Sequence, residues 1–137
     1  MSVKIHTPPV RLAKLLRTPG GLPVADAVQR AGAGLLSLRQ DCLAELKAML
    51  ELAEAVAGRA SEAFDAELLG ELYGVVSKPI GVPSVCGLTS MDTALISLSD
   101  LLDYLKGQQR WDANAVAVHL RALRLLHAVP HGYAAGD

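Results

Sequence analysis

The chain has 137 residues and a formal net charge of −1, enough for one domain and too evenly charged to present the global basic field of a nucleic-acid binder. Leucine (24) and alanine (21) dominate, whereas valine, isoleucine and threonine total 19 and aromatics five. That balance favours helices and excludes a β-sandwich or barrel.

The first 23 residues read as a basic leader: Lys4, Arg11, Lys14 and Arg17 occur without an acid. Pro8-Pro9 and Pro19-Gly20-Gly21 bracket Val10–Thr18, where a short helix is expected with Val10, Ala13 and Leu16 on one side. Such a helix packs over the main body or serves as an arm for an acidic partner or membrane surface. The opening residues Met1–His6 lack the apolar core of a signal peptide, and no apolar stretch is long enough to span a membrane. The expected location is therefore cytoplasmic, with Cys42 and Cys86 as reduced thiols. Neither cysteine has the spacing of a zinc ligand, so no metal and no cofactor is expected.

Val24–Gly58 carries the longest helical pattern. Val28, Ala31, Leu35, Leu38, Cys42, Leu46, Met49, Ala53 and Val56 recur in steps of three and four. Pro23 suits its first turn and Gly58 its stop. If unbroken at Gly32 and Gly34, it runs for roughly 52 Å. Its surplus length then covers the leader or a second copy, so a homodimer through this helix is a candidate assembly.

Ser61–Lys78 reads as the next helix, with Ser61 as its cap and Phe64, Leu68, Leu72 and Val75/Val76 on its apolar face. Gly70 and Gly74, one turn apart, remove side chains from one strip, which suggests tight packing inside a bundle or, alternatively, close contact with a partner. Residues 41–72 hold eight acids against Lys47 and Arg59, an acidic face that complements the basic leader. Residues 79–89 break the regularity, because Pro79 removes a helical donor. Thr89-x-x-Asp92 then resembles a capping box. Met91, Leu95, Leu98, Leu102 and Leu105 form the third helix, which Gly107 ends. Asp112 caps a fourth, with Trp111 stapling onto Val116 and with Leu120, Leu123 and His127 on its stripe. Residues 131–137 read as a loose tail. Four main helices with short connections predict an all-α antiparallel four-helix bundle, spanning 24–130, with an N-terminal leader helix.

Motifs for covalent chemistry are missing: there is no GxSxG, no HExxH and no phosphate-binding glycine loop. His119 and His127 lie eight residues apart, too far along a helix to share one metal. Gly81, Gly87 and Leu88, followed by Ala94, Leu98 and Leu101-Leu102, form a frame that resembles the histidine phosphotransfer (HPt) domain family over residues 61–128. That family carries His-x-x-Lys-Gly, a second glycine six residues after the first, and then leucine. Here Ser77 stands in the place of the phosphorylated histidine and Ile80 in that of the lysine, and Pro79 and Pro83 enter the segment. A serine hydroxyl with no base beside it does not replace an imidazole nucleophile. The resemblance therefore implies an HPt-like bundle that is not an enzyme. It would dock a response-regulator receiver or a histidine kinase in two-component or chemotaxis signalling. The docking face it implies comprises Ser77, Lys78, Gly81, Val82, Ser84, Val85, Gly87 and Leu88. Alternatives are a phosphocarrier that uses His119, and a helical scaffold unrelated to phosphotransfer.

Overall fold

The computed structural model describes residues 2–5, 7, 11–17 and 19–129, without the side chains of Leu15 and Leu16. The expected tail at 131–137, along with Met1, His6, Pro8, Pro9, Val10, Thr18 and Pro130, lies outside the described residues. Among the described residues six helices follow one another: α1 (Arg11–Leu16), α2 (Val24–Gly58), α3 (Ala66–Ser77), α4 (Val82–Val85), α5 (Thr89–Gly107) and α6 (Ala113–Ala128). Among the described residues there is no strand.

The chain divides into two compact units, residues 1–34 and 35–137, with the division inside α2. The first unit holds α1 and the first turns of α2. It buries none of its described side chains fully: Val3, Ile5, Leu12, Leu22, Val24 and Val28 are all exposed. The apolar stripe expected to run along the whole of α2 is therefore buried only from Cys42 onward, at Cys42, Leu46, Leu50, Ala53 and Val56. The helix itself is continuous through Gly32 and Gly34.

The second unit is built on α5, which packs against α3, α4 and α6. Its apolar residues Met91, Leu95, Leu98, Leu102 and Leu105 sit at helical spacing. They meet Leu68, Leu69, Leu72 and Val76 of α3, Val116, Leu120 and Leu123 of α6, and the buried stripe of α2 in one core. Polar ties hold α2 to this core. Arg124 makes a two-pronged ion pair with Glu54 at 2.7 and 2.8 Å. That guanidinium holds the Glu54 carboxyl below its usual value, outweighing the opposing effect of burial. His127 Nε2 donates to the Leu43 carbonyl at 2.7 Å.

Two expected helix starts are corrected. Asp65, not Ser61, caps α3, since its carboxylate accepts from the Glu67 and Leu68 amides at 3.0 and 3.1 Å. Residues 60–65 are irregular, and Phe64 packs on the core from outside the helix. Thr89 and Asp92 form no capping box, because Leu88 occupies the cap of α5 without a side-chain bond. The Asp92 carboxylate is buried and turned toward the preceding segment. Asp112, by contrast, caps α6 as expected, accepting from the Ala115 amide at 3.0 Å.

Gly70 and Gly74 do not serve close packing inside the bundle. Both are exposed, and a Cβ on either would meet nothing within 4 Å.

Candidate docking face

The segment between α3 and α5 is a folded turn, not a loose break. Pro79 has no amide hydrogen to extend α3. Ile80 instead donates to the Ser77 carbonyl at 3.2 Å and Val82 to the Pro79 carbonyl at 3.0 Å. Gly81 reverses the chain at φ +96°, a conformation that favours glycine. Val82–Val85 then make the single turn of α4, with Pro83 in its first turn. Gly87, at φ +77°, leads out toward α5.

Two charged side chains pin this turn from beneath. Asp92 accepts from the Gly81 amide through Oδ1 and from the Ser84 amide through Oδ2, both at 2.8 Å. Burial pushes the Asp92 carboxyl up. The Ser84 hydroxyl and the two amides outweigh that and hold it below its ordinary value of 3.8. From α2, Arg39 Nε donates to the Cys86 carbonyl at 3.0 Å. A Cβ on Gly87 would come within 2.7 Å of the same guanidinium, the movable end of a long side chain, so it is the positive φ that calls for glycine here. Cys86 and Cys42 are buried free thiols, and the Cys86 thiol faces the Leu38 carbonyl at 4.0 Å. Burial, reinforced by the neighbouring Cys86, pushes the Cys42 thiol up to about 11.

Above this base, Val82 and Val85 are 50% and 73% exposed. Lys78, Gly81, Ser84 and Gly87 are exposed around them, and Ser77 is half-buried as the last residue of α3. Leu88 is corrected: it is 4% exposed and belongs to the core, so it offers no surface to a partner. Sequence reading missed Asp92 and Arg39 as the residues that shape this face. An acid one turn into a helix looks like a cap, and nothing in one dimension shows that it reaches back 11 residues.

The geometry bears on the position that Ser77 shares with the family histidine. Ser77 ends α3, and Ile80 lies in the turn, half-buried against the core, so the two do not face outward from one unbroken helix. A Ser77→His/Ile80→Lys variant will therefore accept no acid-labile phosphoryl group from a phosphorylated receiver. Efficient labelling of that variant would contradict this reading.

His119 on α6 is half-buried and bridges to α5. Its Nδ1 faces the Ala115 carbonyl at 2.8 Å, which can only accept, so Nδ1 carries the proton. In the neutral ring Nε2 then accepts from the Ser97 hydroxyl at 3.1 Å. No group of three metal-ligating side chains occurs among the described residues. No helix among them is long and apolar enough to cross a membrane.

Beside the turn, a groove of about 720 Å³ runs between α2 and α3, with Lys78, Pro79 and Val82 at one end.

No protein-family model matches the chain, and none of the curated proteins or solved structures does.

Proposed function

We propose that this chain is a non-catalytic adaptor whose second unit is an antiparallel four-helix bundle of HPt-like character. It docks a partner protein on the face built by residues 77–87. The observation that carries this reading is the rigid, apolar turn: Val82 and Val85 stand exposed on a segment fixed by Asp92 and Arg39. Exposed apolar side chains on a pre-ordered backbone lose little entropy on binding, and clusters of this kind concentrate binding energy. The family resemblance names the partner class as a response-regulator receiver or a histidine kinase in two-component or chemotaxis signalling, in the cytoplasm. Without an imidazole at Ser77 the adaptor would occupy or tether that partner and transfer nothing to it.

Titration calorimetry of the chain against receiver and kinase domains from its own genome tests the proposal. Binding is expected for at least one of them. A Val82→Asp/Val85→Asp variant of unchanged melting temperature is expected to weaken it by about 2 kcal/mol or more. Absence of binding to every receiver and kinase would remove the signalling reading.

A second reading is favoured by α2, where Leu35 and Leu38 are exposed one turn apart. In it the chain is a homodimeric scaffold joined through this helix. Sedimentation velocity at micromolar concentration discriminates: a strict monomer rejects the scaffold, and a dimer lost on Leu35→Asp substitution supports it.

A further inference from the structure

We infer that the groove between α2 and α3 is a docking site for a basic amphipathic helix of a partner protein. The inference goes beyond the receiver or kinase reading and does not depend on it.

The floor of the groove is apolar. Leu46 and Cys42 are buried at its base, Met49 and Val75 are half-buried, and Leu52 is exposed at its edge. From Cys42 to Leu52 the α2 wall extends for about 15 Å, the length of roughly ten residues of a helix laid alongside. The opposite wall is lowered at Gly74, where no side chain stands and a Cβ would meet nothing within 4 Å. A backbone can therefore approach α3 closely at this point.

Charge selects the occupant. Glu45 on α2 and Glu71 on α3 line opposite walls. One turn earlier on the same faces, exposed Asp41 and Glu67 extend both rims. Arg59 pairs with Glu71 at 2.6 Å, and Lys78 stands at the end nearest the turn. Four carboxylates against two cations leave an acidic excess around an apolar floor. The matching ligand presents apolar anchors at i, i+3, i+4 and i+7 between flanking lysines or arginines. An acidic helix would be repelled. Lys78 faces whichever end of the bound helix lies at the turn and favours its C-terminus there, where backbone carbonyls are unpaired.

The probe is a fluorescent leucine–lysine peptide of about 18 residues with leucines at that spacing, and its control is the leucine–glutamate peptide of the same pattern. Titrated into the full chain, the lysine peptide is expected to bind saturably and the glutamate peptide not at all. Gly74→Leu, which fills the low wall from an exposed position, is expected to weaken binding about tenfold or more with helix content unchanged. Leu52→Asp provides the same reading from α2 should the first variant misfold. Equal binding of the two peptides, no binding of the lysine peptide, or full binding by folded Gly74→Leu and Leu52→Asp variants would overturn the inference. So would a dimer of the wild type that Gly74→Leu dissociates, which would assign the groove to a second copy. Saturable uptake of lauric acid that displaces the lysine peptide would assign it to a lipid.

Discussion

Replacing Asp92 with alanine will destabilise the fold by about 2–4 kcal/mol, read as a fall in the urea midpoint at constant slope. The carboxylate is the acceptor for two backbone amides, those of Gly81 and Ser84. Its removal strands both donors at the centre of the turn, and each orphaned group costs about 1–3 kcal/mol where water does not replace the partner. Asp92→Asn will fall between the two, since one oxygen survives while the amide nitrogen points its own donors at another donor. Acid will act in the same direction. The folded carboxyl lies below its unfolded value of 3.8. Its contribution is therefore complete above that value and is lost as pH falls through the lower folded one. In the alanine variant, acid unfolding will lack this component. A change of less than about 0.5 kcal/mol on Asp92→Ala would show that the turn holds itself without the carboxylate.

Leu98→Ala will cost about 2–5 kcal/mol, the toll of deleting three carbons from a packed interior. Leu98 is 0% exposed on α5, the helix that meets α3, α4 and α6. The core it belongs to also draws buried side chains from α2, α3 and α6, so the cavity has little scope to collapse. The melting temperature will fall by about 8 °C or more. Ile96→Ala, two residues away on the exposed side of the same helix, will stay within about 0.5 kcal/mol. Equal effects at the two positions would mean that the α5 stripe is misassigned.

The helices were legible because their signals are local. The three-and-four spacing of Leu95, Leu98, Leu102 and Leu105 marks a buried face without reference to any other segment, and Asp112 caps its helix through a neighbour three residues away. What stayed hidden depends on partners distant in the chain. Cys42 and Leu35 obey the same periodicity, yet one is buried and the other exposed, because burial depends on which helices arrive opposite. Gly70 and Gly74 read as a strip for bundle packing or partner contact, since spacing alone cannot show whether a neighbour fills the space that a missing side chain leaves. The turn between α3 and α5 was legible in place but not in construction. Pro79, Gly81 and Gly87 announce an interruption, whereas the bonds that make it rigid come from Arg39, 47 residues from Cys86, and from an aspartate that mimics a cap. Leu88 was misread for the same reason, since an apolar residue beside glycines looks like surface until α5 turns it inward.

Amide hydrogen exchange at Gly81 and Ser84 in the free protein tests the central claim, that the turn is a fixed platform before any partner arrives. With both amides bonded to a buried carboxylate, their protection will approach that of the α5 core and will collapse in Asp92→Ala. Exchange at the rate of an open loop in the wild type would contradict the account.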